Sequence, residues 1–175
     1  THAEHDLKSF IRRDRNHPCV ILWSIGNEIE WTYPYYWASS KDNKGFKGLI
    51  HTGDPETDNK SILKEFNRLS GGKDDLAETA AVLAGWVKDV DTPRPVSSGV
   101  VVPSVSRLSE YTDVLDVVGY NYKDKYYEID HKLYPYQPII GSENVGQLFE
   151  WTAVADKKYI AGIFVWTGFD YLGEN

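Results

Sequence analysis

A short and nearly continuous apolar run, Cys19-Val20-Ile21-Leu22-Trp23-Ser24-Ile25, constrains this chain more than any other feature. Alternating polarity would indicate a strand wet on one side, whereas an unbroken run of this length reads as a parallel strand buried on both faces. Its borders are sharp. Before it, Leu7, Phe10 and Ile11 recur at helical spacing over His5 to Arg13, and Arg15-Asn16-His17-Pro18 stops that helix, because a residue preceding proline disfavours the α region. After it comes Gly26-Asn27-Glu28.

Further segments repeat the alternation of helix and strand. Asp74 to Val90 sets Leu76, Ala80, Leu83, Ala84 and Val87 on one face, with acidic residues in its first turn, and reads as a helix. Pro95 to Val102, Val114 to Asn121, Pro138 to Ser142 and Gly162 to Thr167 read as strands, with helical or irregular segments over Tyr126 to Leu133 and Phe149 to Tyr159. Strands alternating with helical connections predict an α/β fold with a parallel sheet. Periodicity leaves two architectures open, a doubly wound sheet or part of an eight-stranded barrel. Residues 29 to 72 are rich in Tyr, Trp, Gly, Asn and Lys without periodicity, and read as a long functional loop with a short helix around Ile62 to Leu69.

Composition narrows the function classes. The formal charge is −7, from 19 basic and 26 acidic residues, and the basic ones are scattered, so the footprint of a nucleic-acid binder is missing. The single cysteine, Cys19, offers no thiolate cluster for a metal. No apolar run approaches the roughly 18 residues needed to span a bilayer, which predicts no membrane partner. Thr1-His2-Ala3-Glu4-His5 is no secretory signal, so a periplasmic or secreted location is expected only if a signal lies upstream. Six Trp and twelve Tyr suit cores and the apolar faces of sugars alike.

Chemistry in α/β enzymes gathers at the C-terminal ends of buried strands. Two strands here lead into glutamate: Glu28 after Gly26-Asn27, and Glu143 after Gly141-Ser142. A carboxylate at a buried strand end must face a cleft or find partners. Two carboxylates on one cleft are what glycoside hydrolysis requires, one to protonate the departing oxygen and one to attack the sugar carbon. Structural ion pairing or capping is the competing explanation for each.

The stretch from Arg13 to Glu28 resembles the acid/base signature of glycoside hydrolase family 2, the β-galactosidase, β-glucuronidase and β-mannosidase family. Pro138-Ile139-Ile140-Gly141-Ser142-Glu143 resembles its nucleophile segment, and Gly162 through Glu174 resembles its last strand. The three occur in the family's order. The resemblance implies a partial (β/α)8 TIM barrel holding strands four to eight with their helices, residues 1 to 175 being one barrel fragment with a loop insertion at about 31 to 72. Strands one to three, the upstream domains of the same polypeptide and site residues carried there would then be missing. An open sheet with unpaired edges favours self-association, so homo-oligomers and little activity of the isolated chain are expected.

Carried over residue by residue, the resemblance makes Glu28 the general acid/base and Glu143 the nucleophile. Asn27 would bond the sugar 2-hydroxyl, Tyr122 would bond the nucleophile (with Asn121 or Tyr120 as alternatives for that position), and Trp166 would form the platform beneath the sugar. The implied activity is retaining β-glycoside hydrolysis by double displacement, β-galactosidase-like, on a β-linked oligosaccharide or glycoside. It needs no organic cofactor, and no metal ligand set is evident. β-Glucuronidase, β-mannosidase and a non-catalytic carbohydrate-binding barrel fragment are the alternatives. A retaining site predicts carboxyl groups roughly 4.5 to 6.5 Å apart. Asn27, Tyr122 and Trp166 also have structural explanations, as backbone satisfaction, a bonded core tyrosine and interior packing.

Other residues carry weaker expectations. His2 and His5 are three apart on a helix but lack a third ligand, and His17 and Arg13 precede the strand at the end opposite the chemistry. Asp54, Glu56 and Asp58 alternate like a calcium loop without its glycine and terminal glutamate. Trp31, Tyr33, Tyr35, Tyr36 and Trp37 line either outer sugar subsites or the barrel rim.

Overall fold

The structure, a computed structural model, describes residues 2–32 and 75–169. The expected helix at Ile62 to Leu69, the Asp54, Glu56 and Asp58 triplet, the aromatic residues at 33–37 and the end of the last-strand motif lie outside the described residues.

Among the described residues five helices and five strands alternate: α1 His2–Asp14, β1 Trp23–Asn27, α2 Asp75–Lys88, β2 Val96–Val100, α3 Pro103–Leu108, β3 Val117–Asn121, α4 Tyr127–Leu133, β4 Ile139–Asn144, α5 Leu148–Val154 and β5 Ile160–Val165. Tight helical turns follow β1 at Ile29–Thr32, precede β3 at Tyr111–Val114 and precede α4 at Asp124–Tyr126. Every strand pairs in parallel with the next in sequence, giving the order β1-β2-β3-β4-β5. A doubly wound sheet reverses its order at a switch point, whereas a barrel adds strands in one direction. Sequential order therefore decides the question that periodicity left open, in favour of a barrel segment.

Helix α2 forms for the reasons its pattern suggests. Asp75 and Glu78 lie in its first turn and Lys88 in its last, each opposite in sign to the nearby helix end. Leu76, Ala80, Ala84 and Val87 are its buried face, the larger side chains contributing about 2 kcal/mol each by leaving water. At the N-terminal end of the sheet, Trp23 Nε1 and Arg94 Nη1 donate to Asp91 at 2.9 and 2.7 Å, and Arg94 Nε donates to the Val20 carbonyl at 2.7 Å. These contacts pin the entry of β1 to that of β2.

Two expectations are corrected. The first strand starts at Trp23 rather than Cys19, and its burial is partial, with Ser24 and Asn27 exposed, because β1 is an edge strand of this sheet. Glu143 lies within β4 rather than beyond it. Pro103–Leu108, between two expected strands, is helical, opened by proline at the first helical position, where its fixed φ and missing N–H cost nothing. No helix among the described residues is long and apolar enough to cross a membrane. His5 and His17 are exposed, and Arg13 forms an exposed ion pair with Asp14.

Candidate active site

The C-terminal ends of β1, β3 and β4 bring Asn27, Glu28, Asn121, Tyr122 and Glu143 together. Sterics at the strands make this convergence feasible. A Cβ on Gly99 of β2 would collide with Asn27 Oδ1 and come within 2.8 Å of Asn121 Oδ1, so the absent side chain opens the space in which residues of β1 and β3 meet across β2.

Local backbone geometry then aims the side chains. Glu28 and Tyr122 each follow an asparagine at a strand end, and both adopt left-handed conformations, with φ of 50° and 56°. Such conformations cost an L-residue on the order of 1–3 kcal/mol and persist where surrounding contacts impose them. Here the Glu28 amide donates to the Gly99 carbonyl and the Tyr122 amide to the Glu143 carbonyl, each at 2.8 Å. The β1–β2 register slips between Ser24 and Asn27. In that irregular stretch the Gly26 carbonyl accepts from Ser98 Oγ at 2.6 Å and Ser24 Oγ at 3.0 Å, and Tyr111 in turn donates to Ser98 at 2.5 Å. Hydroxyls thus bond the Gly26 carbonyl directly before the Asn27-Glu28 pair.

Glu143 accepts two bonds, from the Tyr122 hydroxyl at 2.5 Å on Oε1 and from Asn121 Nδ2 at 3.1 Å on Oε2. The same Asn121 nitrogen donates to Glu28 Oε1 at 3.1 Å and to Asn27 Oδ1 at 2.9 Å. Two bonds from one nitrogen hold Glu28 Oε1 and Glu143 Oε2 no further apart than the bonds laid end to end, roughly 6 Å. Burial first, then the bond to Glu143, push the Tyr122 phenol well above its ordinary 10.0, so it remains a donor at neutral pH.

Tyr120 is excluded from the role left open for it. Its hydroxyl donates to Asp130 and accepts from Arg107 at 3.1 Å, in a buried cluster where Arg107 also pairs with Asp130 at 2.9 Å. The two residues that follow it, Asn121 and Tyr122, reach Glu143 instead. Trp166 directly follows β5; its amide donates to the Asn144 carbonyl beside Glu143 at 2.8 Å and the residue is 52% exposed. The peptide joining it to Thr167 is cis.

Glu30 escaped the sequence reading because it fell within the expected loop. It is fully buried, and its Oε1 accepts from the Val101 and Val102 amides at 3.0 and 3.2 Å and from Ser106 Oγ at 2.7 Å. These bonds tie the turn after Glu28 to the entry of α3. Burial pushes its carboxyl above the ordinary 4.5, outweighing the bonds that favour the ion. A raised folded value means stability that is present below the unfolded value and lost as pH rises through the folded one. Glu30→Gln, which keeps an acceptor and cannot ionise, is expected to gain stability relative to wild type as pH rises above about 4.5, measured by urea midpoints. A difference that shrinks with pH would contradict this account. Glu30→Ala is expected to lose on the order of 3 kcal/mol, since it strands two backbone donors and a hydroxyl.

Residues 1–51 match the family model described as glycosyl hydrolases family 2, TIM barrel domain. Beta-galactosidase BoGH2A of Bacteroides ovatus is 28% identical over 217 aligned positions, covering 98% of this chain and 25% of that protein. A solved glycosyl hydrolase family 2 member from Bacteroides cellulosilyticus is 32% identical with a TM-score of 0.66, covering 97% of this chain and 18% of the other. Bacteroides uniformis beta-glucuronidase, at 19% identity and a TM-score of 0.58, covers 93% of this chain and 20% of its own and shares the fold. The chain thus spans about a quarter or less of each relative's length.

Proposed function

Because the chain carries part of a glycoside hydrolase family 2 TIM barrel, we propose that it supplies both working carboxylates of a retaining β-glycoside hydrolase. The observation that carries this reading is the Asn121 amide bonded to Glu28 and Glu143 at once. The resulting limit of roughly 6 Å between two of their oxygens suits the about 5 to 5.5 Å of retaining enzymes and falls short of the about 6.5 to 9.5 Å that inverting enzymes keep for water.

In the first step Glu143 attacks the anomeric carbon while Glu28 gives its proton to the leaving oxygen, so the glycosidic bond breaks as an ester to Glu143 forms. Water then attacks the same carbon, its proton passes to Glu28, and the ester breaks to release the sugar with its β configuration. Tyr122 donates to Glu143 and steadies it before attack. Asn27, exposed at the end of β1, is the residue proposed for the sugar 2-hydroxyl, and the half-exposed Trp166 the platform beneath the ring.

A β-galactoside is the first choice of substrate, supported by the likeness to a named β-galactosidase across nearly all of this chain. The test is a panel of aryl β-galactoside, β-glucuronide, β-mannoside and β-glucoside, given to the chain and to the longest natural polypeptide that contains it. Fastest release from the galactoside, with a 2-fluoro galactoside labelling Glu143, is the expected result. Preference for another sugar moves the substrate, and binding without turnover of any member replaces the hydrolase with a carbohydrate-binding barrel.

A further inference from the structure

We propose that Asn121 is the positioning residue that sets the spacing of the two carboxylates, a role that rests on the hydrolase reading above and deepens it. Its side chain is fully buried at the end of β3. Ser142 Oγ lies 2.6 Å from Asn121 Oδ1 and donates to it, which turns the amide nitrogen toward the site. That nitrogen has two hydrogens and three acceptors, Asn27 Oδ1, Glu28 Oε1 and Glu143 Oε2. At least one hydrogen is therefore shared.

The sharing matches the charge changes of the proposed reaction. In the proposed first step Glu143 attacks as the anion while Glu28 gives up a proton; in the glycosyl-enzyme that results Glu143 is an ester and Glu28 the carboxylate that takes a proton from water. One amide bonded to both has an ionised acceptor in each half-reaction without moving, and a bond to an ion is about twice as strong as one between neutral groups. Asn121 thus serves both steps while transferring no proton and forming no bond to carbon. Gly99 makes this geometry available, since a side chain there would occupy the space between Asn27 and Asn121.

In the longest natural polypeptide that contains this chain, Asn121→Ala is expected to lower kcat about 100-fold while KM stays within about threefold, because misplacing reacting groups by about 1 Å costs that much in the chemical step. Its crystal structure is expected to show the Glu28 and Glu143 carboxyl groups further apart than in the wild type. Ser142→Ala, which removes only the orienting hydroxyl, is expected to lower kcat about tenfold and decides the matter if Asn121→Ala does not fold. A kcat within threefold of wild type in the variant that folds, or carboxyl groups unmoved in its crystal structure, overturns the positioning role. If the wild type neither turns over a β-glycoside nor is labelled at Glu143, the hydrolase reading fails by itself, and the crystallographic comparison still decides what Asn121 does.

Discussion

In the full-length polypeptide that contains this chain, Glu143→Ala is expected to lose about four or more orders of magnitude in turnover of every β-glycoside the wild type accepts, with good and poor leaving groups affected alike. The carboxylate forms the bond to carbon in the first step, so no leaving group, however reactive, restores what it supplies. Folding is expected to survive. Glu143 is only partly buried, and the Tyr122 hydroxyl and Asn121 amide that it leaves behind have water or Glu28 within reach. Kinetics on aryl glycosides of graded leaving-group acidity, with circular dichroism to verify the fold, make the measurement. Turnover within tenfold of wild type would remove Glu143 from the chemistry.

Glu28→Ala has a different expected signature. Loss of a general acid costs about 10²- to 10⁴-fold where the leaving oxygen needs its proton, and little where the aryl group departs unaided. Glycosylation by a dinitrophenyl glycoside should therefore stay near the wild-type rate, while hydrolysis of an alkyl glycoside collapses. The second step lacks its base in either case, so the covalent enzyme accumulates and a burst precedes slow turnover. An equal loss for both leaving groups, with no burst, contradicts the assignment of acid and base to Glu28. The contrast between these two variants separates the roles better than either rate alone.

Much of the fold was legible because local burial leaves a local pattern. The helical face of Leu76, Ala80, Ala84 and Val87 appears in the sequence as spacing and in the structure as the buried side of α2. The strands at Val96–Val100 and Ile139–Asn144 fall within two residues of their apolar runs. Where the reading slipped, composition and burial parted company. Cys19 to Leu22 are as apolar as a strand needs, yet only Trp23 onward finds a partner strand, since pairing depends on the register that β2 offers. Pro103–Leu108 carries too few apolar residues to reveal its period, and its only sequence mark is the opening proline.

The sequence by itself determined an alternating α/β chain, two glutamates at strand ends and a family resemblance that names their roles, because each of these resides in a contiguous stretch of residues. Only the tertiary structure decided which side chains meet. The bond partners of the site are 93 and 94 residues apart in one pair of contacts and 22 and 21 in another. No periodicity links positions so distant. Strand order, the slip in register before Asn27 and the missing side chain at Gly99 bring them within hydrogen-bond reach. Glu30 stayed unread, and Asn121 entered only as an alternative partner for the nucleophile, for the same reason: a buried carboxylate and a buried amide acquire meaning from donors and acceptors that only folding delivers to them.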